Sequence, residues 1–170
     1  MIETPRLLLR PYALDDFEAY AALVVDPAVT RLFGGQPMSR EDAWNRLLRY
    51  AGHWALLGYG MFAIFERGSG RHVGETGLLD FGRGLGDGFD PYPEAAWLLG
   101  GASHGRGYAT EAAEAVHAWF AGIHGAGRTV CIIERGNDSS LKVADKLGYQ
   151  PFDETVYRDK SFVMLERTTV

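Results

Sequence analysis

The sequence has little that would suit a secreted, membrane or nucleic-acid-binding protein. Cys131 is the single cysteine in 170 residues, so no disulfide can form within the chain, and we expect a cytoplasmic protein. No run approaches the ~18 apolar residues of a membrane-spanning helix, and the first residues show no signal-peptide pattern. Acidic residues outnumber basic ones 22 to 17, so the basic excess typical of nucleic-acid-binding proteins is missing.

Several catalytic and ligand-binding motifs are also missing. There is no Gly-x-Ser-x-Gly turn on which a hydrolase triad could be built. The histidines do not stand at metal-ligand spacing from acidic or thiol neighbours, so we expect no metal site. No glycine-rich segment ends in the Gly-Lys-Ser/Thr of a nucleotide-binding P-loop.

What is present predicts one domain over residues 1–170, with 46% hydrophobic residues. Helical patterns come first, at 14–25 and from Ser39 onward. A strand meander follows, and then strands alternate with helices. Strands are expected at 6–11, 61–65, 73–81, 95–99, 130–133, 149–156 and 161–165, and the two later helices at 108–124 and 139–147. This order indicates a mixed α/β fold with a mainly antiparallel sheet flanked by helices.

The helix expected at 108–124 begins unusually, on His104-Gly105-Arg106-Gly107 instead of on a capping side chain. A glycine-rich start lets an anion approach the free N–H groups and positive dipole of a helix N-terminus, which predicts a phosphate site. A dinucleotide fingerprint would need a third glycine where Thr110 stands. The pyrophosphate loop of an acyl-CoA-binding protein remains the alternative.

Three segments give the chain a family resemblance. The segment TPRLLLRPYALDDFEAY with DPAVTRLF, the segment EAAWLLGGASHGRGYATEA and the segment NDSSLKVADKLGY occur in this order. Together they resemble the GNAT N-acetyltransferases, whose loop reads Gln/Arg-x-x-Gly-x-Gly/Ala. More closely, they are similar to the RimJ/RimL-type N-terminal acetyltransferases of ribosomal proteins. The resemblance covers nearly the whole chain.

The resemblance implies a site for acetyl-CoA and an amine. Backbone groups around Trp97, Leu98 and Leu99 would hold the pantetheine arm, in a slot that opens against 130–133. The loop would hold the pyrophosphate through His104, Gly105, Arg106, Gly107, Tyr108, Ala109 and Thr110. Asn137 and Ser140 would lie near the thioester.

Three positions depart from the family pattern. His104 stands where Gln, Arg or Trp is usual, and Gly101 stands where Pro is common. Ala144 replaces a tyrosine that often protonates the leaving thiolate, so that role would pass to Ser140, to a water, or to no group.

Acetyl transfer also needs a neutral amine. An α-amino group, with a pKa of about 8, is partly neutral at physiological pH, so a weak base acting through water would suffice. Glu94 and Glu75 are the best carboxylate candidates. A protein N-terminus is the first expected acceptor, and a small-molecule amine such as an aminoglycoside is the alternative. We expect the glycine-rich loop at 82–93, with the carboxylates of Asp87 and Asp90, to attract the amine acceptor.

A non-catalytic acyl-CoA sensor and a nucleotide-binding domain are the remaining alternatives. Ala144 and the lack of an obvious base favour the sensor, and the glycine loop favours the nucleotide-binding domain. The fold by itself does not choose among amine acceptors.

Overall fold

The computed structural model describes residues 1–168, which contain eight strands and five α-helices. The strands are β1 (Ile2–Glu3), β2 (Leu7–Pro11), β3 (Met61–Glu66), β4 (His72–Leu79), β5 (Glu94–Leu99), β6 (Arg128–Glu134), β7 (Gln150–Tyr157) and β8 (Lys160–Thr168). The helices are α1 (Phe17–Val24), α2 (Pro27–Thr30), α3 (Arg40–Leu57), α4 (Tyr108–His124) and α5 (Asp138–Lys146). The predicted mixed α/β fold is confirmed.

All eight strands lie in one sheet, in the order β1-β2-β3-β4-β5-β6-β8-β7. Every neighbouring pair is antiparallel except β5 and β6. Those two strands run parallel and pair only through Glu94 and Val130. The sheet is therefore opened at its centre beyond this pair, as the predicted slot requires.

Helices cover both faces of the sheet. Side chains alternate between the faces along β3, so Phe62 and Ile64 pack in the core beneath α4, whereas Met61 packs with α1 and α3. Tyr20 and Tyr50 join Met61 in that second core. No helix among residues 1–168 is both long enough and apolar enough to cross a bilayer.

Two predicted helix faces need correction. The apolar spacing in the sequence of α3 predicts one buried face of Trp44, Leu47, Leu48 and Ala51, but Trp44 and Leu48 are 36% and 49% exposed. The buried stripe is instead Ala43, Leu47 and Tyr50, which follows the 3.6-residue period along the side that meets the sheet. On α4, the spacing of Tyr108, Ala112, Ala115, Trp119 and Ile123 predicts one buried face, but Ile123 is 61% exposed, because the last turn extends past the sheet-covered core.

Gly77, at the centre of β4, permits the close approach of β3. A β-carbon at Gly77 would overlap the carbonyl oxygen of Gly60 and lie 2.7 Å from Cα of Met61. We expect Gly77→Ala to lower the free energy of unfolding by about 2–3 kcal/mol, the usual cost of overpacking. Gly52→Ala is the matched control, because a β-carbon there meets open space within α3. It should raise stability by about 0.5–1 kcal/mol. Urea unfolding measures both, and equal effects would contradict the close approach.

Candidate active site

A cleft of about 620 Å³ lies where β5 and β6 separate. Its walls come from these two strands, from α3 and the segment after α2, and from the turn between β7 and β8. It brings together six predicted site residues, namely Glu75, Glu94, Trp97, Leu98, Asn137 and Ser140. Leu99 is the last residue of β5 and the loop 104–110 comes after it; neither is part of this lining within the described residues.

The edge of β5 that faces the cleft carries free backbone groups. Val130 N donates to Pro93 O at 3.0 Å, and Gly100 N donates to Val73 O of β4 at 3.1 Å. Because successive residues of a strand point their backbone groups to opposite sides, Trp97 directs its N–H and C=O toward β6. The β5–β6 ladder has already ended there. Leu98 directs its groups toward β4, and its side chain lines the cleft.

The loop after β5 leaves a row of backbone N–H groups unpaired. Gly105 and Gly107 have φ values of 73° and 76°, a left-handed conformation that side chains strain to adopt. Gly107 is the N-cap of α4, and no side chain caps this helix. Among residues 1–168, none of the amides from 105 to 110 has a hydrogen-bond acceptor. The glycines thus turn the chain so that these amides face outward.

Two arginines stand at this loop, and the sequence interpretation found only one. Arg106 forms an ion pair with Glu66 at 2.9 Å, so it is not a free charge. Tyr108 donates its hydroxyl to Glu66 at 2.6 Å, and this bond is the main reason that the pKa of Glu66 falls to about 2. Arg6 of the segment before β2 donates to the carbonyl of Arg106 at 2.8 Å. Arg6 and Arg106 are 100 residues apart in the sequence, so no local motif indicates that Arg6 lies at this loop.

The structure explains two of the three departures from the family pattern, His104 and Gly101, by the hydrogen bonds that these residues form. His104 places Nε2 2.9 Å from the carbonyl oxygen of Leu99, so that carbonyl at the end of β5 is already bonded. Gly101 donates its N–H to the carboxylate of Asp26 at 3.0 Å. A proline at this position would have no N–H to donate.

Asn137 and Ser140 lie at the start of α5, on the β6 side of the cleft. Asn137 is the N-cap: its Oδ1 accepts from Ser140 N at 3.2 Å and from the Ser139 hydroxyl at 2.9 Å. Its side-chain oxygen is thus used by the helix, while the residue still lines the cleft. Ala144, at the usual tyrosine position, is fully buried in the core beneath α4.

Glu75 is fully buried on β4, at the base of the cleft. It accepts hydrogen bonds from the hydroxyls of Tyr50 at 2.9 Å and Tyr12 at 3.1 Å, and Arg46 lies 3.4 Å away. Burial raises the pKa of Glu75, while the charge of Arg46 opposes the rise. The carboxyl group is therefore brought closer to the pKa of an amine than an exposed glutamate would be.

Glu94 begins β5 and is held by Arg83. Nε of Arg83 donates to one carboxylate oxygen at 2.6 Å and Nη2 donates to the other at 2.8 Å. Burial raises the pKa of Glu94, and the paired guanidinium counteracts this. Each oxygen accepts one bond and keeps a second lone pair, so Glu94 can still take up a proton, but the paired guanidinium favours the ionised form.

The acidic loop before β5, which carries Asp87 and Asp90, lies outside the cleft lining except for Arg83. Asp90 accepts hydrogen bonds from the amides of Gly84 and Gly86, at 3.1 and 2.6 Å, and so it shapes the loop itself. Phe89 is buried with Val130 in a separate small core. Of residues 82–93, only Arg83 belongs to the cleft lining.

Six further cleft residues belong to no sequence motif, because only the tertiary structure brings them together. They are Arg46 and Arg49 of α3, Arg83 after β4, Tyr157 of β7, Arg158 in the following turn, and Lys160 of β8. The basic pair three residues apart on one helix was the only local signal. No group of three or more His, Cys, Asp or Glu side chains among the described residues is arranged to hold a metal ion.

Comparisons with known proteins agree with this geometry. The family model of the acetyltransferase (GNAT) domain matches residues 6–150. A GnaT-family acetyltransferase from Bordetella pertussis is 32% identical, with a TM-score of 0.90 and 98% of each chain covered.

Two less similar solved structures contain coenzyme A and share the fold. One is RimL, a ribosomal-protein α-N-acetyltransferase, with 16% identity, a TM-score of 0.78 and coverage of 97% of this chain and 95% of that one. The other is an aminoglycoside acetyltransferase, with 16% identity, a TM-score of 0.76 and coverage of 95% and 94%.

The Arg83–Glu94 pair permits a test of the electrostatics of the cleft. Arg83→Met keeps an apolar stem near Phe81 and Tyr157, whose rings Arg83 now covers at 4.6 and 5.1 Å, but it leaves Glu94 buried and unpaired. We expect a loss of about 3 kcal/mol in unfolding free energy at neutral pH. Because the folded-state pKa of Glu94 then rises further, stability is lost as pH rises through that pKa and is regained below it.

Urea unfolding at pH 5 and pH 8 measures this effect. The variant should be closer to wild type at pH 5. Adding Glu94→Gln should restore most of the stability and remove the pH dependence of the difference. A pH-independent loss in Arg83→Met alone would contradict the role of the unpaired carboxylate.

Proposed function

The chain belongs to the acetyltransferase (GNAT) domain family, and from that premise we propose that it transfers the acetyl group of acetyl-CoA to a primary amine, in the first place the α-amine of a protein N-terminus. One observation carries this proposal: the unpaired backbone groups form a continuous stretch. The unpaired edge of β5 leads directly to the unpaired amides at the start of α4.

The donor fits the described residues in two places. The free C=O of Trp97 can accept a hydrogen bond from an amide N–H of pantetheine as another strand would, and its N–H stays available for the thioester. Beyond them, the amides of 105–110, with Arg6 and Arg106 nearby, suit the pyrophosphate. His104 keeps Leu99 O occupied, which would end the strand-like contact at Trp97. Coenzyme A in RimL and in the aminoglycoside acetyltransferase supports this choice of donor.

The reaction places different demands on the cleft residues. The N–H of Trp97 can stabilise the oxyanion that forms as the amine attacks the thioester carbonyl. Glu75, or Glu94 through a water, can take the proton that the amine loses. Ser140, held at the first turn of α5, can protonate the departing thiolate or position the water that does so. Asn137 fixes that turn and presents its side-chain amide to the cleft.

Two other functions remain as alternatives. A small-molecule amine, as in the aminoglycoside acetyltransferase, would use the same donor site. A non-catalytic acyl-CoA sensor would bind the donor without turnover. Release of free thiol from acetyl-CoA, measured over a panel of N-terminal peptides and small amines, distinguishes them. Competition between CoA and ATP tests whether the loop binds a nucleotide alone.

Gly107→Val tests the pyrophosphate site. We expect CoA affinity to fall at least about tenfold, or ~1.4 kcal/mol, because a branched side chain would stand where the phosphate approaches the amides. Gly58→Val is the control, since Gly58 at the end of α3 has the same left-handed conformation, with φ 74° and ψ 5°, and a β-carbon there meets open space. Both variants should lose at least about 1–2 kcal/mol of stability through backbone strain. Calorimetric titration that gives both folded variants the same CoA affinity would refute the placement.

Ser140→Ala tests the leaving-group role. We expect turnover to fall about 100-fold while CoA affinity stays nearly unchanged, because the hydroxyl would act in chemistry and not in binding. Ser139→Ala is the matched control, being an exposed serine one residue away and outside the cleft lining. Tyr157→Phe removes the other hydroxyl that lines the cleft in residues 1–168. If only Tyr157→Phe slows turnover, the role belongs to Tyr157.

A further inference from the structure

The lining of the cleft carries more positive than negative charge. Five basic side chains line the cleft, namely Arg46, Arg49, Arg83, Arg158 and Lys160, against the three carboxylates Glu75, Glu94 and Glu134. Three direct ion pairs, Arg46–Glu75, Arg83–Glu94 and Lys160–Glu134, use all three carboxylates. Arg49 and Arg158 remain, and neither forms an ion pair with any residue that the structure describes.

This excess is notable because the chain as a whole has a net charge of −5. Charge of one sign that lines a concave, low-dielectric surface focuses the potential on a ligand of the opposite sign. The cleft therefore attracts anions in a protein whose average surface repels them.

The two unpaired arginines are held from opposite walls. Arg49 extends from α3, where its guanidinium lies 5.7 Å from the ring of Phe81 and 5.9 Å from that of Tyr50. Arg158 stands in the tight turn between β7 and β8, where Arg158 and Asp159 have φ values of 52° and 64°. Both side chains are exposed and line the same cleft, so their guanidinium groups are available to a ligand.

We infer that the acceptor of this enzyme carries a carboxylate near its reactive amine, and that Arg49 and Arg158 bind that carboxylate. The inference rests on the proposed function and narrows its substrate class. A guanidinium presents parallel N–H donors that match the two oxygens of a carboxylate. A polycationic acceptor such as an aminoglycoside would instead meet two positive charges that have no direct ion-pair partner among the described residues, so this class is disfavoured.

Coenzyme A is also anionic, so the alternative is that Arg49 and Arg158 bind the donor instead of the acceptor. The proposed pyrophosphate site lies at the N-terminus of α4, and none of residues 104–110 shares the lining to which Arg49 and Arg158 belong. If the arginines served the donor, their removal would raise the KM for acetyl-CoA. If they serve the acceptor, that KM should stay unchanged.

The test compares acceptors that differ only in charge. C-terminally amidated peptides Ala-Asp-Ala-Ala, Ala-Asn-Ala-Ala and Ala-Lys-Ala-Ala distinguish an acidic, a neutral and a basic side chain next to the same α-amine. Free alanine and alaninamide form the second arm, because there the carboxylate is that of the amino acid itself. The arm with the stronger preference identifies the source of the carboxylate.

Each acceptor is assayed by thiol release with wild type, Arg49→Gln, Arg158→Gln and the double variant. Lys146→Gln removes the same charge at the far end of α5, outside the cleft and outside every ion pair of the described residues. For the carboxylate acceptor, we expect each arginine variant to raise KM about threefold and the double variant about tenfold. The neutral acceptor and the Lys146→Gln control should change little. Added salt should reduce the preference, since charges are screened over about 8–10 Å.

Binding of the same peptides to the CoA-saturated protein, measured by calorimetry, gives a readout that does not depend on turnover. The inference is overturned if the acidic peptide shows no advantage over the basic one and free alanine shows none over alaninamide, or if the arginine variants change only the KM for acetyl-CoA. Failure of the proposed function is a different result. In that case the acidic peptide would bind and lose affinity in the arginine variants, but no amine would release thiol.

Discussion

The early end of the ladder between β5 and β6 is the constraint on which the rest of the structure depends. The two strands meet through Glu94 and Val130 and then part, so a sheet that is otherwise continuous is opened at its centre. Unpaired strand edges inside a protein are costly unless a ligand or water satisfies them. Here the edge of β5 opens into a cleft, and α4 and α5 begin at the ends of the two separated strands. The same opening therefore creates the groove and positions both helix starts beside it.

Two carboxylates are buried beside the cleft, and arginines form ion pairs with them that offset the cost of burying their charge. Glu75 and Glu94 are almost completely buried, and an unpaired charge in such a position would cost several kcal/mol. Arg46 and Arg83 come from α3 and from the segment after β4, so each pair joins two elements across the site. Burial raises the pKa of both carboxyl groups in spite of these pairs, which is the direction that proton transfer from an amine near neutral pH requires.

Local backbone geometry completes the site at the other end of β5. Gly107 stands where most helices have a capping side chain, and its left-handed conformation directs the following amides outward. His104 and Asp26 secure the same region by bonding Leu99 O and Gly101 N. The loop is thus held by its own side chains, while its first helical amides stay available.

The sequence by itself determined the mixed α/β class, the order of most strands and helices, and the glycine start of α4, because periodicity, glycine and capping preferences are local properties. Family motifs also indicated Asn137 and Ser140, and the need for a base indicated Glu75 and Glu94; all four line the cleft. Only the tertiary structure decided which charged side chains lie close enough to pair with one another. Arg6 reaches the loop from 100 residues away. Arg49 and Arg158 stand on opposite walls of one cleft, and Asp90 turns back to its own loop. Such charges act through distances in space, which no local pattern records.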